Sequence, residues 1–179
     1  LKLGDTTAKD AGRLTLNPLA HIDLFGSIVF PLLLALTGAP VFGWAKPVPY
    51  DPRFLPNPKR ASGLIALAGP LSNFALAVIF AIIFRVLTSL EPSQFTVALA
   101  LFVMIIVQVN VSLAVFNLLP IPPLDGSGVL FSLLPRAFAQ VEAFLQRFGF
   151  VILIVLIMSG LNFLNPLMSH LYSFLLGPI

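Results

Sequence analysis

The sequence predicts an all-α integral membrane protein: a multi-helix transmembrane bundle with a short membrane-surface β-hairpin near the N-terminus. Of its 179 residues, 58% are hydrophobic and 9% are charged, and the mean hydropathy is +1.01. Because a soluble domain carries about 25% charged residues, this chain lacks the polar surface that would cover an apolar core in water. It contains no cysteine, which excludes disulfides and thiolate metal ligands.

Residues 1–23 predict a surface strand region. Polar and apolar residues alternate through 13–16 (RLTL), and Asn17-Pro18 closes the run, a pattern typical of a short strand or hairpin. An exposed strand edge at Leu14, Thr15 and Leu16 could bind an unwound substrate peptide by β-augmentation. A simple surface hairpin is the alternative interpretation.

Four apolar segments predict membrane elements: 24–41, 63–90, 95–119 and 148–176. The first is near the lower length limit for crossing roughly 30 Å of hydrocarbon, so it either spans or re-enters. In the second, Pro70 is well placed to begin a helix. In the fourth, Asn165-Pro166 predicts one kinked span, or a span followed by a short interfacial helix.

The charged residues predict the orientation of these segments. The proline-rich loop 43–62 carries an excess of lysine and arginine, residues 91–94 carry neither, and Arg136 and Arg147 follow the third segment. The positive-inside rule therefore places loops 43–62 and 120–147 on the cytoplasmic side. The net charge of +3 comes from thinly spread residues, which favours membrane topology over nucleic-acid binding.

Residues 117–126 (NLLPIPPLDG) are the most informative segment. Pro120, Pro122 and Pro123 end the preceding helix and remove backbone donors. Irregular backbone at membrane depth is tolerated only where it is buried in protein or lines a wet cavity, so Asp125 is a candidate functional residue. Asp125 could equally cap a helix that begins near Gly126, and the local sequence leaves both interpretations open.

This segment and three earlier stretches resemble, in order, the site-2 protease family of intramembrane zinc metalloproteases. The earlier stretches are GDTTA at 4–8 with GRLTLNP at 12–18, FGWAKPVP at 42–49, and AGPLSN at 68–73. The resemblance runs from residue 1 to about residue 130 and implies a single transmembrane metalloprotease core over 1–179. It also implies a bacterial inner-membrane location.

The resemblance implies one Zn²⁺ per complete active site, held by two histidines of an HExxH motif and by Asp125. Zinc-bound water would attack the scissile carbonyl, and the glutamate of that motif would be the general base. Asn117 would contact the substrate or the developing oxyanion, or else its amide satisfies helix carbonyls freed by Pro120. Asn73 is a substrate contact or a helix-packing residue, and Gly126 permits a turn or a close backbone approach.

The sequence departs from the family pattern because it contains no HExxH. Its histidines are His21 and His170, and its glutamates, Glu91 and Glu142, lie outside that spacing. We expect the zinc helix to lie just upstream of Leu1, and this chain to be truncated and inactive. We interpret His21 as hydrogen-bonded near the interface and His170 as interfacial, rather than as replacement ligands.

The leading functional hypothesis is an intramembrane zinc endopeptidase that cleaves in or near transmembrane segments, as in regulated intramembrane proteolysis. Its partners would be a transmembrane protein or peptide substrate and the lipid bilayer, without nucleic acid. The oligomeric state stays open. Two alternatives are a transporter or channel, because broken helices also build substrate pathways, and a non-catalytic homologue that binds membrane proteins.

Overall fold

The computed structural model describes residues 4–15, 17–38, 41, 43–46, 48–49 and 51–177. The chain forms two compact units, Leu1–Ala61 and Ser62–Ile179. Within the described residues every regular element is helical.

The first unit contains short helices. They are α1 (Thr7–Asp10), a 3₁₀ helix (Pro18–His21), a π-helical turn (Leu24–Val29) that continues into α2 (Phe30–Thr37), and a second 3₁₀ helix (Pro52–Phe54). The Asp23 side chain accepts a 2.7 Å hydrogen bond from the Gly26 amide and so caps the π turn. The apolar helix Leu24–Thr37 is about 21 Å long at 1.5 Å per residue, too short to cross the bilayer.

The β-hairpin prediction is wrong for the described part of residues 13–17, and Leu16 lies outside the described residues. Residues 13–15 and 17 form no strand, because local side-chain contacts replace ladder hydrogen bonds. The Asn17 carboxamide accepts a hydrogen bond from the Leu19 amide, the Asn17 amide donates to Thr15 Oγ1, and Pro18 then starts a 3₁₀ turn. Polar side chains at such positions compete with the sheet for backbone groups.

Residues 43–46, within the FGWAKPVP motif, fold back on the π turn. The Trp44 amide donates to the Gly26 carbonyl at 3.0 Å, and Ser27 Oγ donates to the Trp44 carbonyl at 2.8 Å. The indole ring occupies the space that a side chain at Gly26 would need. This motif therefore anchors the entrance of α2, while Phe42 and Pro47 lie outside the described residues.

Helix α3 (Pro58–Thr88, 31 residues) contains Pro70 in its interior, so the prediction that a helix begins at Pro70 is wrong. Pro70 removes the amide that would bond the Ala66 carbonyl, yet the proline is fully buried, and membrane helices tolerate such prolines where neighbouring groups compensate. The helix therefore also takes in the end of the predicted proline-rich loop.

Helix α4 (Gln94–Asn117, 24 residues) matches the predicted 95–119 segment closely. Ser93 and Thr96 form a capping box that defines its start. Its length of about 36 Å at 1.5 Å per residue is sufficient to cross a bilayer.

The rest of the second unit comprises α5 (Asp125–Leu133), a 3₁₀ helix (Arg136–Phe138), α6 (Ala139–Met158), a 3₁₀ helix (Asn162–Leu164) and α7 (Asn165–Leu176). The predicted start of the fourth apolar segment at residue 148 is wrong, because α6 already begins at Ala139, in a more polar stretch. The predicted break at Asn165-Pro166 marks the start of α7, which places Pro166 in its first turn. Among the described residues, three helices are long and apolar enough to cross a membrane: α3, α4 and α6.

The core of the second unit lies between α3, α4 and α7. Its buried residues are Ala77, Ala81, Val107, Val111, Leu175 and Leu176. The Tyr172 hydroxyl lies 2.9 Å from Ser112 Oγ on α4, and the Arg85 guanidinium on α3 donates to the Leu175 and Phe174 carbonyls at 2.9 and 2.7 Å. These polar contacts hold the C-terminal end of α7 against the two long helices.

Candidate metal-ligand site

The candidate site lies where the chain leaves α4 and enters α5. Three prolines interrupt the backbone between these helices, and the Pro122–Pro123 peptide bond is cis. The remaining amides are satisfied locally: Leu119 donates to Phe116 at 3.1 Å, and Leu124 donates to Ile121 at 2.9 Å. The irregular segment is therefore an ordered series of turns.

Asp125 is the first residue of α5, and Leu124 is the N-cap. No side-chain hydrogen bond caps this helix, so the capping interpretation of Asp125 is wrong. The residue is half-buried, and no described residue hydrogen-bonds to its carboxylate. Both carboxylate oxygens are thus available to a ligand from outside the described residues, in a helix turn that favours negative charge.

Three glycines lie at close backbone or side-chain contacts of this segment. A Cβ at Gly69 on α3 would lie 2.8 Å from Asp125 Oδ2, and one at Gly149 on α6 would lie 2.6 Å from the Pro122 carbonyl oxygen. A Cβ at Gly126 would collide with the Leu118 backbone. Close approach of the backbone, predicted for Gly126, is therefore its observed role, with the turn folded over the start of α5.

Asn117 is the last residue of α4 and is half-buried. No described residue hydrogen-bonds to its carboxamide, so the amide does not satisfy described carbonyls around Pro120. On the same helix, by contrast, Asn110 Nδ2 donates to the Ile106 carbonyl at 2.9 Å. The side-chain donors of Asn117 therefore have no hydrogen-bond acceptor among the described residues.

Asn73 lies one helical turn after Gly69 on α3 and is half-buried. Residues four apart share a helix face, so Asn73 follows the residue that contacts Asp125. Its carboxamide has no hydrogen-bond partner among the described residues, which gives no support to a hydrogen-bonded packing role. A substrate contact stays a prediction.

Asp5 and Asp51, two acids of the first unit, accept hydrogen bonds from neighbouring residues. Thr7 donates to Asp5 from its hydroxyl and from its amide, the latter at 2.9 Å, and the Asp51 amide donates at 2.9 Å. These hydrogen bonds, those from Thr7 above all, lower the pKa of the Asp5 carboxyl. The Arg53 guanidinium likewise lowers the pKa of Asp51.

The two histidines do not converge on a site. His21 Nε2 lies 3.0 Å from the Thr15 carbonyl oxygen, in agreement with the predicted hydrogen-bonded histidine. His170 is exposed on α7. Among the described residues, no three side chains of the His, Cys, Asp or Glu type are grouped closely enough to hold a metal ion.

Zinc normally requires three or four protein ligands, and this chain offers Asp125 at the candidate site. An available carboxylate on an ordered turn is suited to be one such ligand. The complete donor set is not formed by the described residues.

Three long apolar helices, with an available acid at a proline-rich break after one of them, define a multi-pass membrane protein with a candidate metal-ligand site. The model of Peptidase family M50 matches residues 89–156, which include Asp125. The "Putative zinc metalloprotease YwhC" of Bacillus subtilis is 40% identical over 164 residues, covering 90% of this chain and 72% of the relative. The chain belongs to peptidase family M50, the site-2 protease family.

Two other relatives agree with this assignment. The "Putative zinc metalloprotease Rip2" of Mycolicibacterium smegmatis is 30% identical over 158 residues, covering 88% of this chain and 58% of the relative. The "Putative zinc metalloprotease MJ0611" of Methanocaldococcus jannaschii is 44% identical over 69 residues, covering 38% of this chain and 33% of the relative. No solved structure is detectably similar to the chain.

The contacts of Gly69 and Gly149 are the part of the site that sequence reasoning missed. Gly69 and Gly149 lie inside apolar helices, where glycine is a weak helix former and therefore often marks a close packing contact. The sequence therefore contained this signal, but it did not indicate which residue each glycine contacts.

Proposed function

We propose that this chain forms part of the membrane core of a zinc-dependent intramembrane endopeptidase, in which Asp125 supplies one zinc ligand. The observation that supports this most directly is the state of the Asp125 carboxylate. It begins α5 without capping it, is half-buried, and lacks a hydrogen-bond partner among the described residues. Family membership adds that its relatives are named as zinc metalloproteases.

The two remaining ligands would be the histidines of an HExxH motif, which the 179 residues do not contain. When bound, zinc supplies a water of lowered pKa and polarises the scissile carbonyl. The role of this chain would be to hold the Asp125 carboxylate in place at the turn between α4 and α5. We expect that these 179 residues alone do not cleave peptides, because they provide no general-base glutamate in that motif.

Asn117 would donate a hydrogen bond to the substrate carbonyl oxygen as negative charge develops there. Its carboxamide is open at the end of α4, and no described neighbour occupies its donors. Asn73 would contact the backbone of the same substrate from α3. We infer these roles from position and availability.

The substrate would be a transmembrane protein or peptide cleaved in or near its membrane segment. We place the protein in a bacterial cell membrane, with loops 43–62 and 120–147 on the cytoplasmic side, because the loop lysines and arginines follow the positive-inside rule. Most of residues 120–147 is helical, because α5 and the first part of α6 lie within this range.

A non-catalytic homologue is the second candidate. The incomplete donor set among the described residues favours it, because such a protein would keep the fold and lose the ligands. The sequence that the gene encodes before Leu1 distinguishes the two. An HExxH motif there supports the protease, whereas an upstream sequence without one supports the non-catalytic homologue.

The direct test measures zinc in the full-length protein purified in detergent. We expect about one zinc per chain, and Asp125→Ala should lower the zinc content sharply. The matched control is Asp10→Ala, which removes an exposed acid of the first unit that contacts Thr6 and should leave zinc unchanged. Zinc retained in full by Asp125→Ala would exclude this residue as a ligand.

A further inference from the structure

Helix α5 packs against a face of α3 made of small residues. A Cβ at Gly63 would lie 2.5 Å from the Ser132 Cβ, and a Cβ at Gly128 would lie 2.9 Å from the Ala66 Cβ. The third contact of this kind joins Gly69 to the Asp125 carboxylate. Small residues allow two helices in a membrane to approach this closely.

These contacts have a consistent register. As residue number rises along α3 from Gly63 through Ala66 to Gly69, it falls along α5 from Ser132 through Gly128 to Asp125. The two helices therefore run antiparallel in contact. Asp125, at the first position of α5, faces the last of the three contact positions on α3.

The Gly69 contact differs from the others in the kind of atom it meets. A Cβ at Gly126 would strike backbone, and one at Gly63 would collide with both heavy atoms of the short Ser132 side chain. A Cβ at Gly69 would meet the far end of the Asp125 side chain, 2.8 Å away, and Gly69 is itself exposed. A methyl group there can be accommodated by rotation of the Asp125 carboxylate, without displacing a helix.

We propose that Gly69 is a positioning residue for Asp125: by lacking a side chain, it leaves the space that the carboxylate occupies at the start of α5, where Asp125 would serve as a zinc ligand. This inference rests on the proposed function, because it assumes that Asp125 is a zinc ligand. The helix α3, and not only the proline-rich turn, then determines where the ligand oxygens lie.

The experiment compares Gly69→Ala, Asp125→Ala and the double variant in the full-length protein. For Gly69→Ala we expect zinc affinity, measured by chelator competition, to fall by about 10–100-fold, the range seen when groups that orient a ligand are removed. The visible spectrum of the Co²⁺-substituted protein should also change. The thermal midpoint of the chelator-treated, zinc-free protein should stay level or rise, because alanine is a better helix former than glycine.

The matched control is Ala68→Ser, which adds one heavy atom at the neighbouring exposed position of α3 and should leave zinc affinity and the Co²⁺ spectrum unchanged. In the Asp125→Ala background, Gly69→Ala should cause no further loss of zinc, because the two residues act on the same ligand. If Gly69→Ala folds poorly, adding Asp125→Ala should restore the folded yield, since the colliding oxygen is gone.

Two results overturn the inference while leaving the proposed function intact. One is a Gly69→Ala protein with unchanged zinc affinity and Co²⁺ spectrum, beside an Asp125→Ala protein that has lost zinc. The other is a poorly folded Gly69→Ala protein that Asp125→Ala does not rescue, which would locate the collision elsewhere. Unchanged zinc in Asp125→Ala instead overturns the proposed function, and this inference with it.

Discussion

Asp5 is a buried acid and Asp125 a half-buried one, and the surroundings of their carboxylates are opposite. Asp5, in the first unit, accepts hydrogen bonds from Thr7 and from the Asp51 amide, which tie the start of the chain to the loop around residue 51. Asp125, in the second unit, has no hydrogen-bond partner among the described residues. A carboxylate whose oxygens are occupied stabilises the fold, whereas one whose oxygens are left open in a half-buried turn is suited to bind a ligand.

The largest expected effect comes from the matched pair Asp125→Asn and Asp5→Asn in the full-length protein. Asp125→Asn should lose zinc and peptidase activity. After chelator treatment of both proteins, its thermal midpoint should equal that of the native protein, because the substitution breaks no described hydrogen bond. Asp5→Asn should keep zinc and lower the thermal midpoint, because its donors lose a charged acceptor. If both variants kept zinc, the distinction between the two acids would fail.

The next largest effect is expected for Asn117→Ala. Zinc content and thermal midpoint should be unchanged, and kcat should fall by about 10²–10³-fold, the usual result of removing one oxyanion donor. The control is Asn110→Ala on the same helix, whose carboxamide bonds the Ile106 carbonyl. Steady-state cleavage of a transmembrane substrate measures kcat for the native protein, Asn117→Ala and Asn110→Ala. Equal kcat values in all three proteins would exclude a substrate contact by Asn117.

A smaller effect should appear in the pH dependence of stability. Hydrogen bonding lowers the pKa of Asp5 in the folded protein, so its stabilising contribution is present above the unfolded value of about 3.9 and is lost as pH falls through the folded value. The difference in thermal midpoint between the native protein and Asp5→Asn should be constant near neutral pH. It should shrink toward zero as the pH falls below about 4.

The exposed acid Asp10, which accepts one hydrogen bond from Thr6, provides the control for this titration. Asp10→Asn should change the thermal midpoint less than Asp5→Asn at neutral pH. Amide exchange at Thr7 and Asp51 should also accelerate in Asp5→Asn, since both amides donate to Asp5. A difference that widened in acid would contradict the assignment.

The smallest effect is expected for Tyr172→Phe. It tests a hydrogen bond from α7 to α4, the helix that carries Asn117. Its hydroxyl lies 2.9 Å from Ser112 Oγ, and such bonds between membrane helices contribute about 0.6 kcal/mol. Ser112 still donates to the Gln108 carbonyl without it, so the unfolding free energy should fall by about that amount. The control is Ser173→Ala, which removes an exposed hydroxyl on α7, the helix that carries Tyr172.

Local chemistry explains which sequence predictions were confirmed. Helix α4 follows from an uninterrupted apolar run that begins at a Ser93 cap, and α7 begins at Asn165 before Pro166, because both signals act within one helical turn. The strand expected around Leu14 and Thr15 was wrong, because the Asn17 side chain bonds the local backbone instead. A substrate role for Leu14, Thr15 and Leu16 stays a prediction.

Pro70 is a residue whose role local sequence did not predict. Read locally, it begins a helix, yet α3 continues through it with the proline buried. The cost of a missing amide depends on what surrounds it, and a single sequence does not state which groups pack there.

By itself, the sequence determined the membrane class, the position of α4, and Asp125 and Asn117 as the residues to examine, because composition and motifs are properties of neighbours along the chain. Only the tertiary structure decided that Asp125 does not cap α5, that its carboxylate is open, and that Gly69 lies against it. Those facts depend on how closely α3 and α5 approach, and this distance is fixed by packing between residues far apart in sequence.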